Sequence, residues 1–261
     1  VLRLGIFLLV LLISIQFLKN IFALERLTKN LEEANAQLKS LDTLKSEFIS
    51  LASHQLRSPL TVIKGYASTL TDGVVGVLTS KQKEIVQHIY FSAQGLASVV
   101  EDFLNVSKIE QGGLQYKFED VDIKRLVTDL VRDMKMAAKS KKLEFAAQIH
   151  ADGVHFVRAD EVKLRQVFLN LIDNSIKYTK EGFVHVVLSY DQYDNKYVFS
   201  ISDSGIGISK ETKAKLFTKF GRGEGGIVNA GGSGLGLYLA QEIIKEHKGK
   251  ISVTSEGSGK G

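Results

Sequence analysis

The chain has 261 residues, a formal net charge of +5 and no cysteine, and its 34 basic and 29 acidic residues are interleaved. The missing cysteines exclude disulfides and thiolate metal sites, and the absence of a basic stripe with aromatic residues argues against nucleic-acid binding. The length allows one large or two modest domains with a buried core.

The first predicted element is an apolar helix. No charge interrupts the run from Leu4 to Leu18, which Arg3 and Lys19 bracket. The run is shorter than the roughly 20 residues that span a bilayer, but the chain opens on valine, so we expect it to be the end of a longer span. A signal peptide, whose cleavage site is lacking, and a buried helix are the alternatives. We predict a transmembrane helix at residues 1–22, with the remainder on the cytoplasmic side of the inner (cytoplasmic) membrane.

A heptad-like stripe follows this helix. Apolar residues from Leu24 to Leu41 recur at alternating steps of three and four, which is typical of a coiled coil. A plain helix with a solvated face is the alternative. The step from Leu41 to Leu44 is three residues where four is due, and such a slip locally overwinds a supercoil. We predict a coiled-coil signalling linker at residues 23–43 in a parallel dimer, with the slip as the place where a signal is converted.

The next helix carries a histidine close to the only proline of the chain. Apolar residues from Phe48 to Ile63 form one stripe, and His54 falls on its flank, where it can face water. Taken alone, such a histidine is usually an ordinary surface residue. Pro59 removes a backbone hydrogen bond and bends a helix at a cost of about 3 kcal/mol, so its presence indicates that the bend is used.

A helical hairpin is predicted around this histidine. Its first helix should end near Asp72–Gly73, and a second amphipathic helix should run from about Ser80 to Lys108. Two hairpins from a dimer would form a four-helix bundle. The pattern breaks at Gln111–Gly113. We therefore predict a dimerisation domain, built as a helical hairpin, at residues 44–110.

Helices and strands alternate beyond this break, which predicts an α/β sandwich at residues 114–261 and an α+β class for the whole chain. The predicted strands are 114–118, 143–149, 183–190, 196–202 and 250–255. The predicted helices are 123–140, 161–178 and 237–248.

Polar side chains interrupt the apolar helix predicted at 161–178. Asn170 and Asn174 share one helical face, and Lys177 and Tyr178 continue toward the same end. Amide oxygens suit Mg²⁺, a lysine can pair with a phosphate, and a tyrosine offers its ring to adenine. Two asparagines at this spacing are, by themselves, more often part of a polar surface.

A carboxylate at a strand end marks a second segment. Asp203 ends a predicted strand and can accept the amino proton of adenine, while Gly205 and Gly207 let the backbone approach the base. An ordinary turn is the alternative.

Two further segments lie between this strand and the last helix. Phe217 and Phe220 are aromatics that could anchor a lid over residues 224–230, and Arg222 could reach a terminal phosphate. A glycine-rich loop then opens the last helix, where N–H groups and the helix dipole favour phosphate. The residues of this loop are Gly232, Gly234, Leu235 and Gly236. A P-loop origin is excluded because no G-x-x-x-x-G-K-[ST] motif occurs.

In this order, the segments resemble the boxes of bacterial sensor histidine kinases. Ser53–Leu60 resembles their phosphoacceptor box, and the four later segments resemble their nucleotide-binding boxes, which DNA gyrase and the mismatch-repair ATPases share. The resemblance runs from about Leu44 to Gly259. It implies a membrane-anchored, dimeric, ATP-dependent kinase that uses Mg²⁺ and phosphorylates His54. It also implies transfer of the phosphoryl group to an aspartate on the receiver domain of a response regulator.

The chain departs from this family pattern at three positions. Gln55 stands where the family commonly has Glu or Asp, and glutamine can orient the imidazole but cannot take its proton. Ser58 replaces a Thr or Asn linked to dephosphorylation of the partner, and it keeps a hydroxyl. The chain stops at Gly261 where a closing strand is expected, so we expect truncation at both ends.

Two alternative functions remain open. Gln55 motivates the first, an ATP-binding dimeric scaffold or response-regulator phosphatase with weak or no autokinase activity. The second is a non-enzymatic membrane coiled coil, which should bind no nucleotide.

Overall fold

The computed structural model describes residues 2–150, 156–221 and 233–261, without the side chains of residues 2–4, 6–10 and 13. The chain divides into two compact units, Val1–His54 and Gln55–Gly261. The helices are α1 (Leu2–Thr71), α2 (Ser80–Glu110), α3 (Ile123–Ser140), α4 (Glu161–Tyr178), α5 (Lys210–Lys215) and α6 (Gly236–Glu246). The strands are β1 (Glu119–Asp122), β2 (Glu144–His150), β3 (Phe156–Ala159), β4 (Phe183–Asp191) and β5 (Lys196–Asp203).

The part of α1 in the first unit carries the predicted leucine stripe. Leu24, Leu27, Leu31 and Leu38 are each more than 60% exposed in the single chain (64%, 65%, 61% and 64%). In the described part of the chain, no helix combines the length and apolarity that a membrane span requires. The transmembrane helix predicted at residues 1–22 is therefore not supported, and many side chains of that run lie outside the description.

The two helices of the predicted hairpin end where local signals place them. Helix α1 ends at Thr71, and the turn that follows holds Gly73 and Gly76 at φ 74° and 127°, a region open mainly to glycine. Helix α2 begins with a capping box, in which the Thr79 hydroxyl accepts from the Gln82 N–H at 3.3 Å and the Gln82 side chain accepts from the Thr79 N–H at 2.9 Å. Both predicted boundaries are confirmed.

Buried side chains recur every seven residues over most of each arm of the hairpin, and the end of α2 also buries three consecutive residues. Leu60 and Ala67 are buried in α1, and Val86, Ala93 and Val100 are buried in α2. A step of seven residues returns to nearly the same helix face, so each buried seam is narrow, as in coiled-coil packing.

The second part of the larger unit is a sheet covered by helices. Strands run in the order β2-β4-β5, with β2 parallel to β4 and β4 antiparallel to β5. Helices α3 and α4 contact these strands, and α6 packs on α4. Their core includes Leu126, Leu130 and Ile172 from the helices and Val186 and Leu188 from β4.

Three sequence predictions of strands differ from the structure. The first strand is Glu119–Asp122 rather than 114–118, because the Lys117 N–H donates to the Asp160 carboxylate at 2.8 Å instead of joining a ladder. Its antiparallel partner, β3, was not predicted, since four residues give too little alternation to recognise. Residues 250–255 form no strand, and the short helix α5 was not predicted either.

Candidate functional site

The polar face of α4 lines a large open cavity. The buried side chains of α4, such as Ile172 and Ile176, hold one helix face in the core. The opposite face therefore presents Asn170, Asn174 and Lys177 to a cavity of about 1780 Å³, which is large enough for a nucleotide. All the cavity-lining residues belong to the larger unit, and the predicted site residues among them are Asn170, Asn174, Lys177, Tyr178, Asp203, Gly207, Gly234 and Gly236.

The two asparagines contact each other and the start of α6. The Asn174 Nδ2 donates to the Asn170 Oδ1 at 3.2 Å. A Cβ at Gly236, the first residue of α6, would lie 2.8 Å from both amide atoms of Asn170. A side chain at this position would displace the Asn170 amide, so the helix N-terminus lies directly against Asn170.

The side-chain amides of Asn170 and Asn174 are suited to a Mg²⁺ ion that is also bound by phosphate oxygens. No group of three His, Cys, Asp or Glu side chains able to hold a metal ion occurs within the described ranges. Mg²⁺ is commonly held by one or two protein oxygens together with phosphate and water, so two amide oxygens fit it in the presence of a nucleotide.

The C-terminal end of α4 is fixed by hydrogen bonds from the residue that follows it and from the turn after α3. Thr179 is fully buried, and its N–H and hydroxyl both donate to the Ser175 carbonyl, at 3.1 and 2.7 Å. The Lys141 Nζ, from the turn after α3, donates to the carbonyls of Ile176 and Lys177 at 2.9 and 3.0 Å. A helix end leaves such carbonyls without helical partners, so Lys141 stabilises this end and also places a positive charge at the negative pole of α4.

Lys141→Met is expected to lower the free energy of unfolding by about 1 kcal/mol and to weaken ATP binding about threefold, because the last turn of α4 frays around Lys177 and Tyr178. Chemical denaturation and a nucleotide titration measure the two effects. Lys142→Met removes the same charge from the next exposed residue and should change neither value. Equal effects from both substitutions would contradict a specific role for Lys141.

A second contact fixes the segment after β5 to the same helix end. The Ile206 N–H donates to the Tyr178 carbonyl at 3.2 Å. Asp203, the last residue of β5, accepts from the Gly205 N–H at 3.0 Å through Oδ1. The carboxylate predicted to recognise adenine thus lies half-buried beside Tyr178 and lines the cavity with it.

Gly205→Ala is expected to weaken ATP binding roughly tenfold, because overpacking here costs on the order of 1–3 kcal/mol. An added Cβ would lie 2.7 Å from the Asp203 Oδ1 and 2.8 Å from the Tyr178 carbonyl oxygen, so both would have to move. Nucleotide titration measures the loss. The control is Gly65→Ala, where a Cβ meets nothing within 4 Å and ATP binding should not change. Unchanged ATP binding in Gly205→Ala would show that Asp203 and Tyr178 lie away from the nucleotide.

The loop before α6 contacts α2. The Ser233 hydroxyl donates to the Asp102 Oδ2 at 2.9 Å, and its oxygen accepts from the Leu235 N–H at 3.2 Å. Burial raises the pKa of the Asp102 carboxyl, the hydrogen bond from Ser233 lowers it, and nearby Glu101 raises it. Ser233 lies between two predicted glycines, but Asp102 carries no local sequence signal that would have predicted this contact.

The third predicted segment is divided between the cavity and the surface. Phe217 lines the cavity, whereas Phe220 is 61% exposed. Between them, Lys219 forms an ion pair with Glu110 at the end of α2, which raises the pKa of Lys219, and its Nζ lies 5.3 Å from the centroid of the Tyr238 ring. The paired aromatic anchor expected for a lid is therefore not seen at Phe220.

Several predicted residues lie elsewhere. Leu235 is buried, at 1% exposure, and directly precedes α6. Arg222, Gly232 and residues 224–230 lie outside the described residues. His54, Gln55 and Ser58 are all exposed on α1, with His54 in the smaller unit.

Two known domain families match the chain. The "His Kinase A (phospho-acceptor) domain" matches residues 44–112, and the "Histidine kinase-, DNA gyrase B-, and HSP90-like ATPase" matches residues 159–261. The first range includes His54 and its proline, and the second includes all four nucleotide segments.

Full-length relatives match most of this chain. The circadian input-output histidine kinase CikA of Synechococcus elongatus is 33% identical over 234 residues, which are 89% of this chain and 31% of that protein. The aerobic respiration control sensor protein ArcB of Escherichia coli is 35% identical over 83% of this chain and 28% of its own length. The chain thus spans about a third of each of these relatives.

Solved structures match over three quarters of the chain. Full-length ShkA in complex with AMPPNP is similar with a TM-score of 0.59 and 28% identity, over 76% of this chain and 40% of that one. The Acinetobacter baumannii histidine kinase AdeS is similar with a TM-score of 0.53 and 25% identity, over 78% of this chain and 92% of that one. These likenesses cover both the helices and the mixed domain.

Proposed function

Because this chain belongs to the histidine kinases, we propose that it transfers the γ-phosphoryl group of ATP to His54 and then to a response regulator. The observation that supports this most is the cavity wall, where the amide pair of α4, Asp203 and the start of α6 face the same space. Those groups offer, in turn, oxygens for a cation, an acceptor for adenine and N–H groups for phosphate. ShkA, a similar protein, was crystallised with AMPPNP, which supports ATP as the nucleotide.

Different residues of the cavity would bind different parts of the nucleotide. Asn170 and Asn174 would hold Mg²⁺, and Lys177 would pair with a phosphate. Asp203 would accept the adenine amino proton, and Tyr178 would lie against the base. Mg²⁺ supplies positive charge to the phosphate oxygens when it is bound. The chain itself supplies position, since the contacts at the end of α4 fix the nucleotide-facing side chains relative to β5.

The reaction needs only one nucleophile from the chain. A neutral imidazole nitrogen of His54 donates its electron pair to the γ-phosphorus, the bond from that phosphorus to the bridging oxygen breaks, and ADP leaves with the electron pair. Gln55 cannot take the ring proton, so water or the phosphoryl oxygens receive it. Exposure of His54 on α1 makes the ring accessible to a delivered nucleotide.

Incubation of the purified chain with ATP labelled at the γ-phosphorus tests this proposal. We expect label on the protein that is lost in acid and kept in alkali, as for an N–P bond. Label that survives acid would indicate a hydroxyl acceptor, and folded protein that binds ATP without label would support the scaffold or phosphatase alternative.

We also propose that the chain acts as a homodimer and passes its phosphoryl group to a receiver domain. The support is the exposed leucine stripe of α1 and the apolar side chains that α2 leaves exposed, such as Ile89 and Leu96, since exposed apolar stripes are typical of helices that associate. Sedimentation at micromolar concentration should give twice the chain mass. Phosphorylated chain should lose its label to a cognate receiver domain.

Location at the inner membrane is a proposal that rests on the sequence alone. It is supported by the uncharged run Leu4–Leu18 with its flanking basic residues. Membrane fractionation of cells that express the full-length protein tests it, and recovery in the soluble fraction would contradict it.

A further inference from the structure

We propose that Asp102, on α2 and outside all four nucleotide segments, is a further residue of the ATP site, where its carboxylate lowers affinity for the triphosphate. The inference rests on the proposed function, because it concerns how the same site receives ATP. It assigns a nucleotide-binding role to the phosphoacceptor hairpin itself.

A short chain of contacts joins Asp102 to the predicted cation site. Asp102 accepts from the Ser233 hydroxyl at 2.9 Å, and Ser233 accepts from the Leu235 N–H at 3.2 Å. The next residue, Gly236, lies against Asn170. The carboxylate is therefore held beside Ser233, three residues before the first residue of α6, in the loop where the phosphates are expected.

Helix α2 contacts the loop before α6 and also forms part of the cavity wall. Phe91, Gln94, Ser98 and Val99 line the same cavity as Asp102, together with the asparagines of α4. A second polar contact, the ion pair between Glu110 and Lys219, fixes the third nucleotide segment to the end of the same helix. The Ser233–Asp102 hydrogen bond and the Lys219–Glu110 ion pair thus hold two nucleotide segments against α2.

The charge at Asp102 opposes the ligand that this loop should bind. N–H groups at the start of a helix favour an anion. In this structure the Leu235 N–H donates to the Ser233 hydroxyl, and that hydroxyl in turn donates to the Asp102 carboxylate. A triphosphate brings further negative charge to the same place, and two anions in a half-buried site repel each other more strongly than in water. ATP therefore has to displace the Asp102 contact or bind beside its charge.

The Asp102→Asn variant of the full chain tests this inference. Asparagine keeps an oxygen that can accept from Ser233, so the contact and the fold should remain while the charge is lost. By calorimetry with Mg²⁺, we expect the variant to bind ATP about fivefold more tightly than the native chain, with the difference shrinking at high salt. Adenosine carries no phosphate, so its affinity should not change.

Glu84→Gln is the matched control, since it removes the same charge from an exposed position near the start of α2. It should leave ATP affinity unchanged. Equal or weaker ATP binding by Asp102→Asn, or equal shifts for ATP and adenosine, would overturn the inference while leaving the proposed function intact. If neither the native chain nor the variant binds ATP, both proposals are wrong.

Discussion

His54→Ala is expected to reduce acid-labile labelling from γ-labelled ATP by roughly a hundredfold or more, because the imidazole is the only proposed nucleophile. The side chain is exposed on α1, so its removal should not disturb packing. ATP affinity should stay at the native value, since all the cavity-lining residues belong to the other unit. Quantified label per chain, with nucleotide titration of the same sample, measures both quantities.

His88→Ala is the matched control, because His88 is also exposed and lies on the other helix of the hairpin. It should be labelled like the native chain. Full labelling of His54→Ala would show that another residue accepts the phosphoryl group, and the proposed mechanism would then be wrong.

Asn174→Ala is expected to weaken ATP binding in the presence of Mg²⁺ by roughly a hundredfold, the upper end for groups that support a bound metal. The substitution removes an amide oxygen from the cavity and also removes the donor at 3.2 Å that orients Asn170. Autophosphorylation should fall with it. Titration of ATP with Mg²⁺ and with a chelator separates the metal contribution from the rest.

Gln166→Ala tests whether loss of any amide from α4 would do the same. Gln166 is half-buried on the same helix. The Gln166→Ala variant should bind ATP in the presence of Mg²⁺ with the affinity of the native chain. Binding of adenosine to Asn174→Ala should also be unchanged. If Asn174→Ala weakens ATP equally with Mg²⁺ and with chelator, the amide acts without the cation.

The parts of the molecule that local chemistry controls could be predicted from the sequence. Thr79 and Gln82 indicate the start of α2, and Gly73 indicates the turn before it, because caps and turns depend on residues within one helical turn. The spacing of Asn170 and Asn174 likewise predicted a shared polar face, and both line the cavity. Residues within one element carry their own signal.

Contacts between distant segments could not be predicted in this way. Asp102 and Ser233 are 131 positions apart, and Lys141 reaches carbonyls 35 and 36 positions away. Residues 114–118 alternate like a strand, yet the Lys117 N–H is bound by Asp160, a tertiary contact that overrides the local pattern. Tertiary packing brings such partners together, so the local pattern of a single sequence does not reveal them.

The parallel pair of β2 and β4 has a consequence for the order in which the chain acquires its structure. Glu144 pairs with Phe183 and Glu119 with Ala159, so β2 and β1 gain these partners only when long loops close, whereas β4 and β5 are joined by a short turn. The two arms of the hairpin need only the short turn after Thr71. Synthesis releases the N-terminal segments first. We therefore expect the hairpin to form on the ribosome once Glu110 has emerged, before the last strand of the sheet has been released.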